Sequence, residues 1–84
     1  MVNALVILYS TQGCHLCEMA LELANQAGIG DKLEIIDIAF DDGLFSRYGV
    51  TIPVLHYQGA EINWPFDLKE LTQWLEDNGI TYHS

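Results

Sequence analysis

Short blocks of uncharged apolar residues alternate with polar punctuation along this chain, and the period of the pattern changes from block to block. Val2 to Tyr9 is rich in Val, Ile and Leu and carries no charge, which predicts a central strand buried on both faces. Ser10 to Gly13 is a polar turn. From Cys14 to Ala27 the period becomes helical: Leu16, Ala20, Leu23 and Ala27 share a face with Cys17, Leu21 and Ala24 beside them, while Glu18, Glu22, Asn25 and Gln26 fall opposite. Gly28 is a C-terminal stop. Leu33 to Ile38 reads as a second, largely apolar strand. A strand, a helix and a strand within about 35 residues imply a right-handed crossover and parallel pairing.

The second half is built from shorter pieces. Asp41 can cap a short helix whose inner side is Leu44, Phe45 and Tyr48, ended by Gly49. Pro53 to Tyr57 and Ala60 to Asn63 flank Gln58-Gly59, a hairpin signal. Asp67 can cap a last helix running to about Asp77, with Leu68, Leu71 and Leu75 inward and Gly79 beyond its end. Thr81 to Ser84 read as a tail. The order is β-α-β-α-β-β-α, an α/β domain spanning residues 1–84 with a four-stranded mixed sheet flanked by three helices.

Composition narrows the function classes. A chain of 84 residues buries only about 60–65 % of its unfolded surface, so its core is modest. Half the residues are apolar, which compensates. Twelve acidic residues against three basic ones give a formal charge of −9. Nucleic-acid binding needs Lys and Arg for phosphates, so that class is excluded, and anionic membrane surfaces are excluded on the same ground. The longest apolar run, Ala4 to Tyr9, is far too short to span a bilayer. No positive region precedes it, so a signal peptide is not expected and a cytoplasmic location is.

Only two cysteines occur, Cys14 and Cys17. A loop this short removes little unfolded-state entropy, so the pair is not a staple. In the cytosol such a pair serves catalysis or metal binding. Here it sits where a buried strand meets a helix. Positions i and i+3 on a first helical turn place both sulfurs on one side, within disulfide reach. The free amides and the positive end of the helix dipole favour a thiolate there. Cys14, nearer the helix end, is the expected attacking thiolate and Cys17 the resolving thiol. His15 between them has two readings: an imidazolium that tunes the thiolate, or a solvated residue at a helix start. A zinc site drawing on His15, His56 or His83 lacks a second ligand pair, so no metal is expected. A pair of buried structural thiols is the other bland reading.

With these residues in view, the sequence resembles a glutaredoxin or a minimal thioredoxin over nearly its whole length. The resemblance rests on Tyr9 to Cys17, on Thr51-Ile52-Pro53 and on Asp67-Leu68, and lies nearest a bacterial glutaredoxin-like subfamily of unsettled function that carries a Trp-Pro-Phe-Asp stretch, here Trp64-Pro65-Phe66-Asp67. It implies a thioredoxin-like fold and a cis Ile52–Pro53 bond beside the dithiol, where Pro53 alone would read as a trans proline starting a strand. It also implies that the backbone of Ile52 pairs with an extended substrate segment.

The chain departs from glutaredoxins at three places. His15-Leu16 replaces the Pro-Tyr common between the cysteines, Thr11 stands where many carry lysine, and Asn63-Trp64 replace the Gly-Gly that lets backbone approach glutathione. Arg47, Thr51 and Asp67 are the residues glutathione would use, and the net charge weighs against it; no cofactor is expected. Trp64 either lines the substrate groove or closes the end of the sheet. Trp74, Phe45, Tyr48 and Leu16 read as core or near-core.

The expected function is thiol–disulfide exchange on a protein or small-molecule disulfide by a monomer. The alternatives are a non-enzymatic binding or redox-sensing adaptor and, third, iron–sulfur or zinc carriage.

Overall fold

A computed structural model describes residues 6–80 of the chain. Strand β1 (Val6–Ser10) leads to helix α1 (His15–Gln26), then β2 (Leu33–Asp37), helix α2 (Asp42–Tyr48), β3 (Val54–Tyr57), β4 (Ala60–Asn63) and helix α3 (Leu68–Asp77). Single 3₁₀ turns, Gly30–Lys32 and Ile38–Phe40, lead into and out of β2. The strands lie in the order β2-β1-β3-β4, parallel between β1 and β2 and antiparallel elsewhere. This is the expected mixed sheet with three helices. Residues 2–5 of the first expected strand and the tail at 81–84 lie outside the described residues. Among the described residues no helix is long and apolar enough to cross a membrane.

The period-2 alternation of β1 divides the core. Val6 and Leu8 face one layer with Ala20, Ala24, Leu55, Leu71 and Leu75, beneath α1 and α3. Tyr9 faces the other with Ile38, Tyr48 and Val54, beneath α2. On α1 the buried line is Cys17, Ala20 and Ala24, continued by Ala27. Alanines along that line let the helix lie close on the sheet.

Three details correct the sequence reading. The buried line of α1 is turned toward Cys17, so Leu16 is 44 % exposed rather than near-core. In the seven residues of α2 only one narrow line can face the sheet, and Leu44 and Tyr48, one turn apart, occupy it. Phe45 therefore points outward and is 57 % exposed. Strand β2 is an edge, and Ile35, read as part of an apolar strand, is 53 % exposed.

The punctuation behaves as its chemistry requires. Gln58 and Gly59 both take positive φ, 47° and 88°, the two-residue turn whose twist matches a hairpin. Asp41 caps α2 by accepting the Leu44 N–H at 3.0 Å. Asp67 caps α3 by accepting the Glu70 N–H at 2.7 Å, while the Glu70 carboxylate accepts the Asp67 N–H at 3.1 Å, a reciprocal capping box.

Candidate functional site

Strand β1 ends at Ser10, and Gly13 turns the chain with a φ of 77°, a backbone conformation that favours glycine. Cys14 follows as the N-cap of α1, in extended conformation. Cys14 and Cys17 are joined as a disulfide, their Cα atoms 5.2 Å apart. The Cys17 backbone N–H donates to Cys14 Sγ at 3.1 Å. Cys17 is buried and Cys14 half-buried, so the outer sulfur is the more accessible one. His15 is exposed at the first position of α1, flanked by exposed Leu16. Among the described residues no group of three His, Cys, Asp or Glu side chains could hold a metal ion.

The disulfide has two different flanks because β1 has a neighbour on each side. On the β3 flank, Tyr9 pairs with Val54, which sets Pro53 level with Ser10 at the start of the cysteine turn. The Ile52–Pro53 bond is cis, as the resemblance implied. Trp64 joins this end of the sheet, its N–H donating to the Pro53 carbonyl at 3.2 Å. Trp64 is half-buried, edge-on to Phe66 with ring centroids 5.1 Å apart. The Trp64–Pro65 bond is also cis, a feature without a signal in the reading of the sequence.

Thr51 and Ile52 are fastened to α2. The Tyr48 carbonyl accepts the Thr51 N–H at 2.9 Å, the Ile52 N–H at 3.1 Å and the Thr51 hydroxyl at 3.3 Å. Ile52 thus enters any pairing with a substrate segment with its N–H already engaged. Asp67 and Arg47 also have work of their own. The Asp67 carboxylate caps α3, and the Arg47 guanidinium lies 5.3 Å from the centroid of the Tyr48 ring. The structure therefore gathers Cys14, Cys17, Thr51, Ile52, Pro53 and Trp64 at one end of the sheet.

On the β2 flank a cleft of about 160 Å³ opens beside the cysteine pair. Leu8, Leu21 and Ile35 line it together with Cys14, Cys17 and Glu18, and the turn at 10–13 closes one side. None of the substrate-binding residues expected from the sequence lines it. It forms because Ile35 pairs with Leu8 in register and so faces the first turn of α1 from an edge strand. That relation belongs to the folded sheet and has no local sequence pattern.

Beneath α2, Tyr48 stacks on Tyr9 with ring centroids 4.4 Å apart, and its hydroxyl donates to a Glu61 carboxylate oxygen. Burial, then the Glu61 hydrogen bond and charge, push the Tyr48 phenol up from its ordinary 10 to about 12; Arg47 pulls the other way. The folded chain holds this proton to higher pH than the unfolded chain does. The contribution to stability is present below pH 10 and is lost as pH rises toward about 12. In an absorbance titration of tyrosinate, Glu61→Gln should make Tyr48 ionise at lower pH, while burial keeps it above an ordinary tyrosine. An unchanged titration would remove Glu61 from this role. His56, considered as a metal ligand in the sequence, is half-buried under the same face with Nδ1 lacking a partner and its ring 6.1 Å from Tyr9.

A cysteine pair at a helix N-terminus, beside a cis-proline on a mixed sheet, defines a protein of the thioredoxin-like fold. The chain belongs to the glutaredoxin-like domain family (DUF836), which matches residues 5–76. Protein XcR50 from X. campestris, in its X-ray structure, is 38 % identical, with a TM-score of 0.80 over 86 % of this chain and 96 % of that one. Protein Ne2328 from Nitrosomonas europaea, solved by NMR, is 24 % identical with a TM-score of 0.65 over 88 % of this chain and 94 % of that one, a likeness of fold. No curated protein matches the chain.

Proposed function

We propose that the protein is a thiol–disulfide oxidoreductase in which Cys14 attacks and Cys17 resolves. The observation that carries this reading is Cys14 at the N-cap of α1, its sulfur accepting the Cys17 N–H at 3.1 Å. In the reduced protein the same amide and the helix dipole would favour a Cys14 thiolate. That thiolate attacks one sulfur of a substrate disulfide. The substrate S–S bond breaks, one thiolate leaves, and a mixed disulfide joins Cys14 to the remaining half. The Cys17 thiolate then attacks Cys14 Sγ and expels the second half. The substrate gains two electrons and two protons, the protons coming from the two cysteines, and the protein is left as the Cys14–Cys17 disulfide. A dithiol reductant returns it to the starting state.

One observation favours a second reading, a non-enzymatic binding or redox-sensing module: the Ile52 N–H is held by Tyr48 and is not free to pair with a substrate strand. Turnover separates the two: with excess dithiol reductant present, an exchange protein speeds reduction of a small disulfide over many cycles, whereas a binding or sensing module leaves the steady rate at the uncatalysed background, which would refute the exchange reading.

A further inference from the structure

The cleft on the β2 flank takes no part in the exchange as described, yet Cys14 and Cys17 both line it. Its apolar floor is Leu8, Leu21 and Ile35, and Ile35 is left 53 % exposed by it. The ionisable group on its lining is the exposed carboxylate of Glu18. At about 160 Å³ it is below the roughly 300–1,000 Å³ of sites for drug-sized ligands, so its occupant is small. An apolar floor with one anion at the rim suits a short aliphatic stem that ends in a cation. The chain's formal charge of −9 acts in the same direction at longer range.

We propose that this cleft seats one half of a small disulfide bearing an aliphatic ammonium group, and that such cationic disulfides are the preferred substrates. The proposal rests on the exchange chemistry above and adds the substrate class. The alkyl stem lies on Leu21 and Ile35, the ammonium faces Glu18, and the disulfide lies against Cys14. The covalent steps are those already given, with an aminothiol as each leaving group.

The test is the rate at which fully reduced protein reacts with cystamine, with neutral hydroxyethyl disulfide and with anionic dithiodiglycolate. Each rate is divided by that of the same reagent with free thioglycerol, a neutral thiol that differs from all three leaving groups, which cancels intrinsic reactivity. At low salt the expected order is cationic, neutral, anionic, and added salt compresses it. Glu18→Gln should lower the cationic-to-neutral ratio about twofold to fivefold, the range an exposed ion pair supports. Taking the ratio cancels any change in the Cys14 thiolate itself. Glu22→Gln removes the same charge one turn along α1, outside the cleft, and should leave the ratio in place.

A ratio unmoved by Glu18→Gln, or lowered equally by Glu22→Gln, would overturn the cleft assignment while leaving the exchange reading standing. Reaction with none of the three disulfides would overturn both.

Discussion

Cys14→Ser should reduce disulfide exchange to the uncatalysed background, and Cys17→Ser should convert the protein into a trap that accumulates a mixed disulfide on Cys14. The two substitutions are chemically identical, so the difference between them reports position alone. A serine hydroxyl is not a competent nucleophile toward sulfur at neutral pH, and Cys17 is too buried to replace the outer sulfur. In Cys17→Ser the outer sulfur remains. The hydrogen bond that supports it also remains, because its donor is the backbone N–H of residue 17 rather than a side chain. The first step should therefore proceed and the second should fail. Mass spectrometry after mixing with a small disulfide reads both results. Full exchange in Cys14→Ser would reverse the roles or end the assignment.

Leu71→Ala should be strongly destabilising, as truncation of a fully buried core leucine. Leu71 is fully buried and packs α3 onto the sheet with Leu75, Leu55 and Phe66. Truncating such a side chain costs about 2–5 kcal/mol from lost transfer free energy plus the cavity left behind. Domains have only about 5–15 kcal/mol in total, and small chains sit toward the lower end. The substitution should remove a large share of the stability, with the midpoint of thermal unfolding falling by roughly 4–8 °C for each kcal/mol lost. Leu16→Ala, at a position 44 % exposed, should stay within about 0.5 kcal/mol of the parent. Denaturant unfolding of the two variants checks the contrast. Equal losses would mean that the core does not lie where the structure puts it.

That contrast also shows where sequence reading reaches its limit. Element order follows from the change of apolar period and from punctuation that has one physical meaning: Asp41 and Asp67 accept helix amides, and Gln58-Gly59 takes the positive φ of a tight hairpin. The cysteine pair is legible because strand, turn and helix occur consecutively around it. The inward side of a helix is harder to read where two stripes are similarly apolar, and the choice between Leu16 and Cys17 was decided by the sheet that α1 meets. Phe45 turns outward, against its apolar character, because a helix as short as α2 presents only one line to its sheet. The cis Ile52–Pro53 bond came from resemblance, and nothing in the residues announced the second one at Trp64–Pro65. The three bonds to the Tyr48 carbonyl could not be read. Two of their donors and their acceptor are backbone atoms, which carry no sequence signature. The cleft at Ile35 likewise exists only once β2 is paired with β1.

Glutaredoxin-like architecture alone does not establish exchange, since one fold serves many functions. Exchange requires that Cys14 and Cys17 form a working redox couple. Its most direct test is an equilibrium titration of the pair against mixtures of reduced and oxidised glutathione, approached from both the dithiol and the disulfide side. One reversible two-electron transition is expected, coincident from both sides, with a potential between about −270 and −120 mV, the span of redox-active dithiols from thioredoxin to strongly oxidising relatives. A pair that stays oxidised throughout, with a potential below about −300 mV, would be a structural disulfide and not an exchange couple.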